Sequence, residues 1–430
     1  MLGVEKPRFT RRQVAAAALG HAVENFDWLA YSIFAGYIAA EFFPTGDTLT
    51  SLMATFATFA VGFFFRPLGG VVLGRFTDRV GRRPALMLSI SMMAFGSLLI
   101  AVTPGYDAIG VFAPILLVLA RAIQGFSGGG EVGAVFIYMA ESAPDGKKGR
   151  QVSFVYIAVG AALLLVSSLG TVMTATLGTD GVANGAWRVP FVVGAIMGLV
   201  VLVMRRALPE TDEFTNATST QRRVSFLSVV KESPGRIFAI FIYSAAASLL
   251  FYAIVSGTGV LVSATSSAVQ ETPSVQETPS LAFTAMTVGI VVHVLLMYPF
   301  GALADRYGMI RTTVIGLVTI AVIFLLIPWI PLDTVVAVFL VYILPMAALA
   351  MIVSVLPAVL PPMIPAEVRG ITLGIGFGFA SALFGGTAPY VLTYTISVGI
   401  MPWFYIYVAA LSLVAAIAIS RTPRQGKDPE

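Results

Sequence analysis

The amino-acid sequence predicts an all-α polytopic membrane protein with twelve transmembrane helices in two pseudo-symmetric six-helix bundles and with both termini in the cytoplasm. Of its 430 residues, 57% are hydrophobic and only 11% are charged, whereas soluble proteins have about 25% charged residues. The mean hydropathy is +0.90. A chain this apolar cannot bury its surface in one water-soluble core, which excludes a soluble enzyme, a disordered tail protein and a nucleic-acid binder.

Long apolar stretches set the number of spans, since each span needs about 20 apolar residues. Residues 84–105, 151–179 and 237–270 contain no charge, and the uncharged stretch 371–420 is long enough for two spans. Walking along the chain gives twelve predicted spans, at residues 14–41, 51–74, 84–103, 110–140, 151–177, 188–204, 236–262, 281–304, 311–329, 334–360, 371–397 and 402–420.

The distribution of lysine and arginine predicts the orientation, because cytoplasmic loops of membrane proteins are enriched in both. With both termini inside, 23 of the 26 basic residues fall in the terminal segments and the inner loops. The three exceptions are Arg188, at the outer edge of span six, and Arg66 and Arg121, which lie inside spans. No cleavable signal peptide is apparent, since the basic N-terminus runs directly into the first span.

The sequence divides into two related halves. One loop pattern occurs twice, 227 residues apart, as Gly74-Arg-Phe-Thr-Asp78-Arg79-Val-Gly81-Arg82-Arg83 and as Gly301-Ala-Leu-Ala-Asp305-Arg306-Tyr-Gly308-Met-Ile-Arg311. Repeated halves are typical of transporters whose site lies between them near the bilayer midplane. We predict an N-terminal bundle at residues 1–206, a central cytoplasmic loop at 207–235, a C-terminal bundle at 236–420 and a short tail at 421–430.

Several kinds of chemistry have no support in the sequence. There is no cysteine, and the two histidines, His21 and His293, are far apart, so we expect no metal site and no cofactor. No phosphate-binding loop is present, since no lysine follows the glycines at 128–130. A tandem Val-Gln-Glu-Thr-Pro-Ser repeat at residues 269–280 is assigned no function.

The first loop pattern resembles the signature of the major facilitator superfamily. The chain is also similar to its metabolite:proton symporters, which include transporters of citrate, tricarballylate, 2-oxoglutarate, shikimate and proline or betaine. The matching pieces are Glu24-Asn-Phe-Asp27-Trp-Leu-Ala-Tyr31, Arg66-Pro67-Leu-Gly69-Gly70, Arg121-Ala-Ile-Gln124-Gly125, Trp187-Arg188-Val-Pro190-Phe191, Leu208-Pro209-Glu210-Thr211 and Phe384-Gly385-Gly386-Thr387-Ala388-Pro389. The resemblance implies the major facilitator fold and alternating access. Osmosensing betaine members carry a long helical tail, which the ten residues after Ser420 cannot supply.

Charged residues inside the predicted spans are candidates for the transport chemistry, because burying a charge in the bilayer is costly. At 1.5 Å per residue, Asp27 lies about 22 Å into span one and Arg121 about 16 Å into span four, so both are central. An Asp27–Arg121 pair resembles the coupling pair of proton-driven sugar transporters in the superfamily. An arginine that moved toward an anionic substrate would leave the acid free to take a proton. Glu24, one helical turn earlier, is the competing proton carrier.

A second set of buried groups is predicted to bind the substrate. Arg66 and Glu131 lie at similar depths, so they either pair with each other or act in substrate binding and proton coupling. Arg66 and His293 are also 227 residues apart, and donors at equivalent places in the two halves suit a di- or tricarboxylate, which arginine binds bidentately. His293 is otherwise a packed polar residue or a proton relay. The remaining candidates, each alternatively a helix–helix contact, are Asn25, Tyr31 and Gln124.

The loop signature also predicts a gate on the cytoplasmic side. Asp78 lies near a helix N-terminus, which favours a negative charge, and Arg82 can bridge to Glu141 at the inner end of span four. The resemblance implies that such contacts hold the halves closed at the inner face. Asp305 and Arg306 are the equivalent residues of the second half. Ordinary basicity of cytoplasmic loops is the alternative explanation.

These patterns predict a secondary transporter, not an enzyme, that imports a small organic acid with protons across the bacterial inner membrane. One alternative is a symporter of a zwitterion such as betaine or proline, or a passive facilitator. A second alternative is a nutrient receptor that signals without net transport. The expected partners are the small-molecule substrate, protons and the lipid bilayer, with no nucleic acid, and we expect a monomer.

Overall fold

The protein is described here from a computed structural model. The structure describes residues 11–80, 82–129, 131–141, 143–144, 146–206, 234–268, 279–330, 334–364 and 369–422. Helices before the central segment are α1 (Arg11–Ile33), α2 (Ala35–Phe42), α3 (Thr48–Val80), α4 (Arg82–Val102), α5 (Tyr106–Ile109), α6 (Phe112–Gly128), α7 (Glu131–Glu141), α8 (Lys148–Ala183) and α9 (Val189–Arg206). Helices after it are α10 (Pro234–Ala268), α11 (Pro279–Tyr307), α12 (Met309–Leu326), α13 (Val335–Val353), α14 (Leu356–Val359), α15 (Arg369–Ala380), α16 (Ala388–Ser397) and α17 (Met401–Ser420).

The helices form a multi-pass membrane protein. Among the described residues, nine helices are long and apolar enough to cross a membrane, and shorter apolar helices lie at Met87–Val102 and Phe112–Gly128. Large apolar side chains point outward, as in Leu295, Trp403 and Trp329, which are 68%, 65% and 83% exposed. Charged side chains are instead buried inside, an arrangement that suits lipid as the surrounding solvent. The predicted all-α membrane fold is therefore confirmed, whereas the number of twelve spans stays a prediction.

Several predicted spans are interrupted helices. The first predicted span, 14–41, is divided at Phe34, whose backbone (φ −94°, ψ 13°) lies outside the helical region. The predicted span 110–140 is divided between α6 and α7. The predicted span 371–397 contains a π-helical turn at Ser381–Gly385, followed by Pro389 in the first turn of α16. A proline has no N–H with which to continue the hydrogen bonds of the preceding helix. The wide π-helical turn accommodates this missing hydrogen bond.

The N-terminal half (residues 11–206) and the C-terminal half (residues 234–422) meet along two seams. The first seam is between α8 and α11. At the end of the molecule where α8 begins, hereafter the Lys148 end, Gly149 and Gly301 pack against each other's backbone. Towards the other end, the hydroxyl of Thr287 donates to the hydroxyl of Ser167 at 3.1 Å.

The second seam joins α3 to α15 and α16. Near the Lys148 end, Pro67 lies against Gly378, and in the middle Gly386 packs on the ring of Phe63. At the opposite end, Ser397 contacts the sulfur of Met53 at 3.9 Å. Among the described residues, the two seams together run from one end of the molecule to the other.

Candidate functional site

One face of α1 carries the polar groups of the site. His21, Glu24, Trp28 and Tyr31 follow the spacing of three to four residues that places side chains on one side of a helix. Asp27 lies beside them. All five side chains are buried, and Glu24 and Asp27 are each 1% exposed. The sequence therefore brings two carboxylates and two large aromatic rings into the interior on a single helix.

Glu24 forms an ion pair with Arg66 of α3. The distance between Glu24 Oε1 and Arg66 Nη2 is 3.1 Å, and both side chains are buried. His21 Nδ1 lies 3.7 Å from Glu24 Oε2, one turn closer to the Lys148 end. Gly128 of α6 packs directly against the carboxylate, where a Cβ would collide with it. This pairing was missed by the sequence analysis, which considered Glu131 as the partner of Arg66.

Asp27 and Arg121 are connected through two intervening side chains. Arg121 Nη1 donates to Gln124 Oε1 at 2.9 Å, and Gln124 Nε2 donates to Ser97 Oγ at 2.9 Å. The Ser97 hydroxyl in turn donates to Asp27 Oδ2. Within the described part of the chain, no ion pair within 4 Å joins Asp27 to Arg121. In place of the predicted direct pair, the structure thus has a chain of hydrogen bonds between the two residues.

Aromatic rings surround the two guanidinium groups. The central carbon of Arg66 lies 4.5 Å from the ring centroids of both Trp28 and Phe63. The same atom of Arg121 lies 3.8 Å from the Tyr31 ring and 5.3 Å from the Trp28 ring. The indole of Trp28 therefore contacts both cations. Such contacts contribute about 0.5–2 kcal/mol each, so they hold the arginines in place even when a carboxylate leaves.

Several strong donors in this cluster make no hydrogen bond to the described residues. They are Nε and Nη2 of Arg121, Nε of Arg66 and the indole N–H of Trp28. An unsatisfied buried donor costs about 1–3 kcal/mol, and more when it is charged. The guanidinium of Arg121 is also fully buried. A ligand that supplies oxygen acceptors, such as a carboxylate, would satisfy these donors.

Tyr252 of α10 reaches this cluster from the C-terminal half. Its ring centroid lies 5.6 Å from that of Phe59 and 5.0 Å from that of Phe63. It also interacts electrostatically with Glu24, Arg66 and Arg121. Tyr252 is thus a contact through which the C-terminal half can respond to the charge state of the N-terminal half.

The remaining predicted substrate residues have partners within the protein. His293 donates from Nδ1 to the carbonyl of Met346 at 2.8 Å, within the C-terminal half. Asn25 donates to the carbonyl of His21 at 2.8 Å, on its own helix. The hydroxyl of Tyr31 donates to the carbonyl of Thr55 at 3.0 Å. Arg66 and His293 thus have separate partners, and their joint binding of one ligand stays a prediction.

Asp305 forms a contact between the halves at the Lys148 end. Its carboxylate accepts hydrogen bonds from the backbone N–H of Gly149 at 2.6 Å and of Arg150 at 3.2 Å. These N–H groups belong to the first turn of α8, where the helix dipole favours a negative charge. Arg150 Nε adds an ion pair at 3.6 Å. The neighbouring Arg306 is exposed and stacks on the ring of Tyr307.

Other predicted site groups cannot be placed. The side chains of Asp78, Arg82 and Glu141, and that of the coupling candidate Glu131, lie outside the described residues. Their backbones belong to the end of α3, the start of α4 and both ends of α7. The predicted Arg82–Glu141 bridge therefore stays a prediction.

A second cluster, at the end opposite Lys148, ties α2 to the start of α9. Glu41 accepts hydrogen bonds from Trp187 Nε1 at 2.7 Å and from Arg188 Nη1 at 3.0 Å. Arg188 Nη2 also donates to the carbonyl of Thr103 at 3.0 Å. The predicted edge position of Arg188 agrees with this arrangement, whereas Glu41 was not singled out in the sequence.

Comparison with known proteins identifies the family. The model of the Major Facilitator Superfamily matches residues 17–389. The chain belongs to the Major Facilitator Superfamily. This confirms the resemblance drawn from the loop signature, and the chain is accordingly a transporter and not an enzyme.

Similar members of the superfamily are carriers of small solutes. The chain is 34% identical to the alpha-ketoglutarate permease of Escherichia coli (strain K12), over 97% of this chain and 95% of the permease. It is 32% identical to the citrate-proton symporter of Salmonella typhi, over 93% and 91% of the two chains. It is also 32% identical to a Staphylococcus aureus (strain COL) protein designated a proline/betaine transporter, over 95% and 87%.

Solved structures of the superfamily share the fold. A crystal structure of a D-xylose-proton symporter superposes with a TM-score of 0.75 at 18% identity, covering 96% of this chain and 98% of the symporter. A partially occluded inward-open form of the Escherichia coli xylose transporter gives a TM-score of 0.74 at 17% identity, covering 96% and 99% of the two chains. At this identity the likeness establishes the major facilitator fold alone.

Proposed function

We propose that this transporter imports a small di- or tricarboxylate together with protons by alternating access. The main support for this proposal is the pair of buried arginines, Arg66 and Arg121. Each has unsatisfied hydrogen-bond donors, and each is associated with a carboxylate. Binding an anion at a buried guanidinium provides the charge-assisted bonds that those donors lack. The names of the alpha-ketoglutarate and citrate relatives support the same substrate class.

The site residues have distinct proposed roles. Arg66 and Arg121 bind substrate carboxylates, and Gln124 and Ser97 transmit the loss of the Arg121 contact to Asp27. Asp27 and Glu24 accept protons when their arginines turn to the substrate. Tyr31 and Trp28 hold the guanidiniums in place. From their positions in the sequence, Glu131 is proposed to take part in proton coupling, and Asn25 and His293 in substrate binding.

The Asp305 contact serves as a gate in this scheme. We take the Lys148 end as cytoplasmic, because the basic loops predicted to face the cytoplasm lie there. The cap on α8 then stabilises the state closed to the inside, with Arg306, Asp78, Arg82 and Glu141 as further gate residues. The bundles at 1–206 and 236–420, joined by the loop at 207–235, would rock about the central site. The proposed location is the bacterial inner membrane, as a monomer.

A zwitterion such as proline or betaine is the second candidate substrate, favoured by the Staphylococcus aureus relative. Its quaternary ammonium would need an aromatic cage. The rings that could form one here, Trp28 and Tyr31, are already stacked on guanidiniums. The geometry therefore favours the anion.

Uptake by purified protein in proteoliposomes tests the proposal. An inward proton gradient should drive accumulation of labelled alpha-ketoglutarate or citrate, and a protonophore should abolish it. Arg121→Gln should lose uptake while its melting temperature stays within a few degrees. Arg421→Gln is the matched control, because Arg421 is an exposed arginine at the end of α17, remote from the cluster.

Three other results would contradict it. Uptake that is insensitive to the protonophore would indicate a passive facilitator. Uptake of betaine without uptake of either acid would indicate a zwitterion carrier. Substrate-dependent thermal stabilisation with neither uptake nor counterflow would indicate a receptor.

A further inference from the structure

We propose that Glu24 and Asp27 act as two parallel proton carriers, so that two protons cross the membrane with each dicarboxylate. This inference rests on the proposed proton-coupled import of an organic acid. It replaces the sequence-based view, in which Glu24 competes with Asp27 for one proton-carrying role.

The first support is that each acid has its own arginine. Glu24 pairs with Arg66 on α3, while Asp27 connects to Arg121 on α6 through Ser97 and Gln124. The ion pair of the first unit and the hydrogen bonds of the second involve different side chains. They meet at Trp28, which contacts both guanidiniums, and at Tyr252, which interacts electrostatically with Glu24, Arg66 and Arg121. Each arginine can therefore exchange its carboxylate for a ligand without breaking the contacts of the other unit.

The second support is the charge balance of the buried cluster. Among the described side chains of the cluster, the charges of two carboxylates and two guanidiniums sum to zero. A bound dicarboxylate adds two negative charges to this buried cluster, and an uncompensated buried ion is strongly unfavourable. One proton would leave a net charge of −1. Two protons, one on each acid, restore neutrality.

The third support is the spacing of the arginines. Both guanidinium carbons lie close to the Trp28 ring, at 4.5 Å and 5.3 Å from its centroid. They are thus within about 10 Å of each other, a span that a short carbon chain with a carboxylate at each end can bridge. One dicarboxylate can then engage both arginines at once and release both acids.

The surroundings of each acid are compatible with this exchange. Glu24 is faced by His21 on its own helix, by Arg66 of α3, by Gly128 of α6 and by Tyr252 of α10. His21 lies one turn toward the Lys148 end, on the route by which a proton from Glu24 would leave to the cytoplasm.

Asp27 is faced by Ser97 of α4, by Gly194 of α9 and, through Gln124, by Arg121 of α6. Each carboxylate takes one proton as the substrate carboxylate binds its guanidinium. Each gives the proton up on the inside when the substrate leaves and the arginine returns. Glu131, whose side chain is not among those described, is tested separately below.

The test is the proton number measured at zero net flux in proteoliposomes, with alpha-ketoglutarate as the probe. A pH difference of one unit should balance an alpha-ketoglutarate gradient of about 100-fold in the wild type, tenfold for each proton. The flux should not respond to an imposed membrane potential, because two protons neutralise the dianion. Glu24→Gln and Asp27→Asn should each lower the balancing gradient to about tenfold and make the flux sensitive to the potential.

Two further variants keep the assignment specific. Glu41→Gln is the matched control, since this acid also pairs with an arginine but lies outside the cluster, and its proton number should stay at two. Glu131→Gln is the discriminating variant: the proton number stays at two if Glu24 is the second carrier and falls to one if Glu131 is. Counterflow and melting temperature identify any variant that fails to fold, and either acid variant alone suffices as the test.

The outcomes separate this inference from the proposed function. A wild-type gradient of about tenfold with potential-sensitive flux would overturn the two-proton scheme and leave proton symport intact. An unchanged proton number in Glu24→Gln, or a lowered one in Glu131→Gln, would remove Glu24 as a carrier. A wild-type flux that ignores the pH gradient would refute the proposed function itself.

Discussion

Replacing Gly62 by alanine tests whether the position of Trp28 controls substrate binding. A Cβ at Gly62 would lie 2.6 Å from Trp28 Cη2 and 2.9 Å from the carbonyl oxygen of Arg121. Ordinary contacts of this kind begin near 3.4 Å, so the indole must retreat by about 0.8 Å. Displacements near 1 Å in a preorganised site can cost about 100-fold, and we expect KM for the organic acid to rise at least about tenfold.

The stability effect of Gly62→Ala has two opposing parts. Overpacking costs about 1–3 kcal/mol, while alanine gains about 0.5–1 kcal/mol over glycine in a helix. The variant should therefore melt slightly lower than the wild type. Gly374→Ala is the matched control, because no atom lies within 4 Å of its Cβ position. Kinetics of uptake and thermal melting in detergent measure both effects, and an unchanged KM in Gly62→Ala would refute the role given to Trp28.

Three further predictions concern contacts outside the cluster. In a double-mutant cycle, Glu41→Gln and Arg188→Gln should show a coupling of about 1–2 kcal/mol in denaturant unfolding, and additive effects would show that the pair does not stabilise α2. Asp305→Asn should open the Lys148 end. If the lost charge contributes about 1.4 kcal/mol, a thiol reagent should label a cysteine placed by Val152→Cys about tenfold faster. An equal labelling rate would exclude the gate. Hydrogen bonds from Thr50 at 2.8 Å and 2.5 Å hold the pKa of Asp47 below its usual value, so its stabilising effect is complete at neutral pH and fades as pH falls through that lowered value. The melting temperatures of wild type and Asp47→Ala should therefore converge in acid, and a constant difference would contradict the cap.

The residues of the site could be predicted from sequence because burial of charge is visible there. Glu24, Asp27, Arg66 and Arg121 stand out as charges within apolar stretches, and the structure brings all four into one cluster. Their depth along each helix could be estimated from the rise per residue. The fold followed in the same way from the length of the apolar stretches and the repeated loop signature.

The pairing of these residues could not be predicted, because depth does not say which way a helix faces. Glu24 and Asp27 are only three residues apart, and a small rotation of α1 would change which acid meets which arginine. Ser97 and Tyr252 are uncharged and were missed, since a serine or tyrosine in a span is usually a helix contact. The break at Phe34 was also missed, since no proline lies near it and Gly36 alone does not predict a break.

The indole between the two arginines also makes the protein its own optical reporter. The chain has four tryptophans. Trp329 and Trp403 face outward, Trp187 lies in the Glu41 cluster, and Trp28 alone touches both guanidiniums. Indole emission responds to nearby charge, so occupation of the site should change the fluorescence of Trp28 directly. With the other three replaced by phenylalanine, the filling and emptying of the carrier could be followed without a label.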